Sequence, residues 1–311
     1  MCISSADHNI TSFYALSLIL HCSPSDDERI TMPNTLQQIA LVTGGGSRIS
    51  VAFVKQIHRI GYSILIADLA LHPSASAWIE SLQPEASQRV VFFQLDVADW
   101  AQLEASFNRC VASFGCVPTL VVPGAGVFEP SSNSFWEDQD QDSRYKVFDI
   151  NLNHPIKTTR IAVRKLVENN LQGTIIHISS IAAQRSSIIT PLYTASKHAL
   201  SSFIREMAPL AEIPGIRVVG VAPGSKKSPF SLPFDSNTFH SVVGSPLYEK
   251  REAAKFLDPE RDYILPPEAV ASAMMTLLRQ LDEYEPGTVL LPRDRMAKGV
   301  SPRGFRAAGT G

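Results

Sequence analysis

The stretch from Gln37 to Gly61 sets the tightest limit on what this chain can fold into. Gln37–Thr43 reads as a buried strand. It runs straight into TGGGSRIS (Thr43–Ser50), and VAFVKQIHRIG (Val51–Gly61) follows with apolar residues at helical spacing. Strand, glycine-rich turn and helix in immediate succession is the context a dinucleotide-binding fingerprint requires. Further strand-like runs recur at Ser63–Ala67, Val90–Leu95, Thr119–Val122, Gly173–Ser180, Arg217–Ala222 and Thr288–Leu291. Helical segments alternate with several of them: Asp99–Phe114, Tyr145–Asn169, the stretch after Tyr193 and Pro267–Arg279. That alternation predicts an α/β fold, one doubly wound, mainly parallel sheet in a single Rossmann-type domain. Asp68 closes the second strand about twenty residues past the glycine turn, where a carboxylate can bond both ribose hydroxyls of NAD and repel the extra phosphate of NADP. The same residue could also serve as a helix cap or a solvated turn.

A second constellation lies in SIAAQRSSIITPLYTASK (Ser180–Lys197). Tyr193 and Lys197 are four apart, so a helix places them on one face, a turn from each other. Ser180 stands thirteen residues before Tyr193, where the run GTIIHISS ends. A hydroxyl at a strand end can then meet a Tyr–Lys pair near a helix start, a set suited to moving a proton to or from a carbinol or carbonyl oxygen. Free tyrosine, with a pKa of about 10, is a poor base. Bringing it near 7 takes roughly 4 kcal/mol, the order that one close cation in a dry site supplies. A lysine ammonium and an oxidised nicotinamide are two such cations.

Composition bounds the rest. The 311 residues are 44% hydrophobic and 19% charged, enough for a full α/β core. A net charge of −2 makes no case for nucleic acid. Cys2, Cys22, Cys110 and Cys116 show neither CxxC nor metal spacing; Cys110 and Cys116 flank a predicted helix end and read as buried thiols, and a reducing, cytoplasmic setting fits. FYALSLIL (Phe13–Leu20) is too short to span a membrane and follows Asp7 and His8, not the basic residues of a signal peptide. Residues 1–33 read as a loosely ordered extension, with Met32 as an alternative start. The domain proper covers 34–292, and 293–311 is a basic, mobile tail.

The serine, the YxxxK pair and the later PG resemble the active site of the short-chain dehydrogenase/reductase family, and the resemblance runs from Leu36 to Pro292. PGAGVFEP, DINLNHPIKTT and LYTASKHA are similar to the hydroxyprostaglandin-dehydrogenase-like branch found in filamentous fungi, many of whose members serve secondary metabolism. The resemblance implies that Tyr193 is the acid/base, Lys197 its activator and a ribose ligand, Ser180 the orienter of the substrate oxygen and Asn151 the active-site asparagine. It further implies cofactor contacts at Gly44, Ile49, Asp68, Asp96, Val97, Gly124 and Ser228, the last standing in the threonine position of PGxxxT. Asp96 could equally cap the helix that follows. A water held at Asn151 links the lysine to solvent in the family. Pro155 would free the Asn151 carbonyl for it, or merely bend the helix.

Three departures from the family pattern stand out. Arg48 and Ser50 replace the second and third glycines of TGxxxGxG, and PGAG (Pro123–Gly126) replaces NNAG. The Arg48 guanidinium either clamps a cofactor phosphate or points to solvent, while the missing asparagine implies a weakened local bond. Glu129–Ser143 reads as a polar surface loop in which Phe135 and Trp136 line a pocket mouth or anchor the loop. Ser225–Asp262 reads as a substrate lid with Phe230, Leu232 and Phe234 on its underside. The small-residue face Ala195, Ala199 and Ser202 suits either a monomer core or the helix pairing of a homodimer or homotetramer. The expected function is hydride transfer between NAD(H) and the secondary alcohol or ketone of a small, apolar metabolite, with no membrane or nucleic-acid partner. The alternatives are an NADP(H)-dependent ketoreductase and a degenerate Rossmann protein that binds a ligand or partner.

Overall fold

Ile39–Thr43 forms β1, and all its residues are buried. Alternate side chains enter two different cores: Ile39 and Leu41 face one, Ala40 and Val42 the other. A strand covered on both faces has no polar side to show, which explains its unbroken apolar sequence. β2 (Ser63–Asp68) repeats this apart from its polar ends Ser63 and Asp68, β4 (Leu120–Pro123) throughout, and β6 (Ile216–Val221) apart from Arg217. With β3 (Val90–Gln94), β5 (Gly173–Ile178) and β7 (Val289–Leu290) they make a seven-stranded sheet in the order β3-β2-β1-β4-β5-β6-β7. Every pairing is parallel. This is a single Rossmann-type α/β domain. The structure, a computed structural model, describes residues 38–129, 134–136, 138, 144–188, 190–212, 215–224 and 265–292. The expectations for residues 1–33 with Cys2 and Cys22, for the lid 225–262 with Ser228, Phe230, Leu232 and Phe234, and for the tail 293–311 lie outside the described residues.

Helices cover both faces. α1 (Arg48–Arg59) buries Phe53, Val54 and Ile57 on the side where the last described helix, Pro267–Arg279, packs Val270, Met274 and Leu277. The other side carries α3 (Trp100–Phe114), α4 (His154–Glu168) and α5 (Pro191–Glu206). Asp99 caps α3, its carboxylate accepting from the Ala101 and Gln102 N–H groups. Cys110 and Cys116 are free thiols, the former buried.

Two features of the helices were not legible in advance. α2 (Pro73–Glu80) and a short helical turn, Pro84–Ser87, join β2 to β3. Only Ala75 of α2 is buried, so there is no apolar stripe to announce it; proline at its start and the His72 cap on Ser74 N–H define it instead. The expected long helix 145–169 has a distorted beginning. Lys146–Phe148 leads into a π-helical turn, Asp149–Asn153, before α4 starts. Pro155 therefore occupies the first turn of α4, where no N–H is required, and the distortion precedes it.

Candidate active site

The order of the sheet places β2 on one side of β1 and β4 on the other. At such a switch point the connections leave in opposite directions and open a crevice beyond the strand carboxyl ends. A cleft of about 410 Å³ lies there. Gly44, Gly46, Ser47, Ile49, Asp68, Asp96, Val97, Gly124, Ser180, Tyr193 and Lys197 all contribute to its lining.

Main chain builds the first end of the cleft. Gly44 has φ 62°, and a Cβ there would stand 2.5 Å from Ala125 Cα, so neither its conformation nor its surroundings admit a side chain. A Cβ on Gly124 would meet the Thr43 carbonyl at 2.8 Å and Ser50 Oγ at 2.9 Å. Ser50 thus occupies space that a glycine in both places would leave empty. α1 begins at Ser47 without a side-chain cap, so its first N–H groups remain for an anion. Asp68 accepts the Gly46 N–H at 2.9 Å and the Leu69 N–H at 2.8 Å, pinning the turn from which it faces the cleft. Burial raises its pKa, and these N–H bonds offset only part of that rise. Asp96 bonds the Ala98 N–H at 2.9 Å and lines the cleft, while the helix cap it could have supplied comes from Asp99. Ile49 and Val97 line the same wall. Arg48 is exposed and is not among the lining residues.

The second end is made of side chains. β5 stops at Ile178, and Ser180 caps a 3-10 turn, Ile181–Gln184, through the Ala182 N–H. Ser180 and Tyr193 both line the cleft, the serine hydroxyl near enough to favour the ionised phenol. Lys197 is 5% exposed; its Nζ lies 5.8 Å from the centre of the Tyr193 ring and donates to the Ile178 carbonyl at 2.9 Å. Burial draws the Lys197 pKa from 10.5 to about 8, so holding it charged at neutral pH costs about 3 kcal/mol. The Tyr193 phenol moves the other way: burial raises its pKa, and the nearby Ser180 hydroxyl opposes that. The expectation is that the lysine and an oxidised nicotinamide together make the phenol acidic, and these shifts describe the protein without the second of those charges. Burial thus favours the neutral phenol in the free protein, and a further positive charge in the cleft would favour the ionised form. Asn151 is buried under the same end, its amide paired in both directions with the Val127 main chain at 2.8 Å.

Two residues absent from the sequence-based set join these ends. His154 is fully buried. Its Nδ1 donates to the Ile150 carbonyl at 3.1 Å and its Nε2 accepts from the Thr43 hydroxyl at 2.9 Å. Thr43 Oγ1 in turn accepts the Gly124 N–H at 3.1 Å. The bond expected to be weak at PGAG is therefore well supplied. Burial holds the His154 pKa at about 4, so the ring stays neutral. Glu129, expected to open a surface loop, is 0% exposed and bonds the Tyr193 N–H. Nothing in EPSSNS marks it, because its burial arises from the position of α5. The other two large groups of that loop, Phe135 and Trp136, are exposed at 45% and 58%. Trp136 Nε1 donates to the Ile188 carbonyl at 2.7 Å, which is anchoring.

Fold and cleft together define a class, an α/β protein with a crevice at the switch point of its sheet and a serine, a tyrosine and a lysine at one end of it. Comparison with known proteins narrows that class. The model of the short chain dehydrogenase family matches residues 38–237, more than half of the chain, and the chain belongs to this family. The cis-2,3-dihydrobiphenyl-2,3-diol dehydrogenase of Pseudomonas sp. (strain KKS102) is 30% identical over 210 residues, 67% of this chain and 73% of that one. The NAD(+) 15-hydroxyprostaglandin dehydrogenase of Rattus norvegicus is 30% identical over 250 residues, 78% and 86% of the two chains. Galactitol 2-dehydrogenase of Agrobacterium fabrum is 30% identical over 188 residues, 60% and 70%. The protein is accordingly an oxidoreductase acting on CH–OH donors, with a nicotinamide cofactor and a small-molecule substrate. Among the described residues no helix is long and apolar enough to cross a membrane and no cluster could hold a metal ion.

Proposed function

We propose that the protein transfers hydride between NAD(H) and the secondary alcohol or ketone of a small, largely apolar metabolite. The meeting of Ser180, Tyr193 and Lys197 in the lining of one cleft carries this reading, because it sets a proton donor at the end of a cleft that begins at the glycine turn. The residues fit a dinucleotide. Gly44 and Gly124 leave no room for side chains where main chain must approach the phosphates, and Ile49, Asp96 and Val97 form a wall for the adenine end. When bound, the nicotinamide supplies or accepts the hydride. Tyr193 takes the hydroxyl proton as the carbonyl forms, or returns it in the reverse direction. Ser180 holds the substrate oxygen, and Lys197 adds positive charge beneath the tyrosine ring.

Asp68 supports NAD over NADP, because its carboxylate lies in the cleft wall at the end of β2 and would face a 2′-phosphate. The rat relative, NAD(+)-dependent by name, agrees. Against the binding-only alternative stand Ser180, Tyr193 and Lys197, brought together in one cleft. Titrating NADH and NADPH into wild type and Asp68→Ala tests the reading. Wild type should prefer NADH, and the variant should shift toward NADPH by about tenfold. A wild-type preference for NADPH would contradict it.

A further inference from the structure

Three consecutive residues after β4 each fasten part of the candidate site. Val127 pairs its main chain with the Asn151 amide. The Phe128 ring packs edge-on against the Tyr193 ring, with centres 5.1 Å apart. The Glu129 carboxylate accepts the Tyr193 N–H at 2.9 Å on one oxygen and the Phe135 N–H at 3.2 Å on the other. Burying an acid without a cation is costly, and Glu129 forms no ion pair among the described residues. What compensates it is the start of α5. Thr190, the residue at the cap position, makes no side-chain bond to the helix, and Pro191 has no N–H. The N–H of Tyr193, in the same first turn, goes to Glu129. A helix N-terminus favours a negative charge. Here the charge comes from a residue 64 positions upstream, not from the usual local cap.

We propose that Glu129 is a positioning residue for Tyr193. It fixes the first turn of α5 against the end of β4, so that the phenol meets Ser180, which sits on the separate turn after β5. An ordinary cap on Thr190 would stabilise the helix without tying it to the rest of the site; a carboxylate rooted beside Phe128 and Val127 does both. Tyr193, Asn151 and the main chain after Gly126 then behave as one rigid unit. The inference rests on Tyr193 being the reacting group.

The test needs no substrate. Full-length protein labelled with [ζ-13C]tyrosine reports the surroundings of each phenol, and the Tyr193 line is assigned by its loss in Tyr193→Phe. In Glu129→Gln, which loses the charge, the Tyr193 line should move and broaden at neutral pH while the lines of Tyr62 and Tyr284 stay in place. Glu129→Asp loses reach instead of charge and should move the same line by less; it decides the matter if the glutamine variant does not fold. A Tyr193 line coincident with wild type would overturn the proposal. So would equal movement of the Tyr62 and Tyr284 lines, which would make Glu129 a general stabiliser. NADH titration of the wild type judges the cofactor reading separately, and its failure would leave the tyrosine measurement intact.

Discussion

At the glycine-turn end of the cleft the walls are main chain: Gly44 and Gly124 approach their neighbours too closely for a Cβ, and Asp68 holds the turn by its N–H groups. At the other end the work falls to a hydroxyl, a phenol and an ammonium. The family pattern is kept at the side-chain end and departs at the main-chain end, with Arg48, Ser50 and Pro123. Physically this is reasonable. A surface made of N–H and Cα atoms depends on backbone path, so an arginine that points outward or a serine that fills a gap leaves it intact. A proton transfer depends on the identity of the atom that holds the proton, and has no substitute.

Four experiments would break or sharpen that contrast. The largest effect is expected from Tyr193→Phe, which removes one oxygen from the side-chain end. Turnover should fall by about a hundredfold to ten-thousandfold, with NADH affinity unchanged by fluorescence titration. Retained turnover would end the contrast. Next comes acid. His154 and His177 are held neutral by burial, at about 4 and about 3. Below the ordinary histidine value of 6.5 the unfolded chain takes up protons that the folded one refuses, so stability should fall as pH drops from 6.5 to about 4. His154 alone should account for about 3 kcal/mol of that loss, read as a lower urea midpoint. His154→Gln, which keeps an acceptor but gains no charge, should flatten the fall; an equally steep fall in that variant would contradict the assignment.

How much of this was readable beforehand follows from the same physics. The buried parallel strands announce themselves as apolar runs, and Ser180, Tyr193 and Lys197 by fixed spacing. His154 and Glu129 do not, since each acts across more than sixty residues of sequence and looks locally like part of a polar segment. The π-helical turn before α4 was anticipated only as a kink at Pro155. α2 was missed because it buries a single alanine. Local chemistry is legible in sequence; the partner that a buried polar group finds in a distant element is not.

A smaller effect is expected at the main-chain end. Gly44→Ala forces a side chain into the left-handed region at φ 62°, costing about 1–2 kcal/mol in conformation alone. NADH affinity and melting temperature should both fall, with the Tyr193 phenol undisturbed. Unchanged affinity would show that the turn is looser than its contacts imply. The smallest effect belongs to Arg48→Ala. With the guanidinium exposed and outside the cleft lining, NADH affinity should change by no more than about twofold. A tenfold loss would restore the phosphate clamp.

The central claim is that the cleft turns Tyr193 from a neutral acid into a base when positive charge joins Lys197 beside it. Tyrosinate absorbance, followed against pH in wild type minus Tyr193→Phe, measures that directly. Without cofactor the difference should show no ionisation below the ordinary tyrosine value, in keeping with the effect of burial. With NAD+ bound, a step corresponding to one tyrosine should appear well below it, toward neutral pH. The same curve with and without NAD+ would contradict the claim.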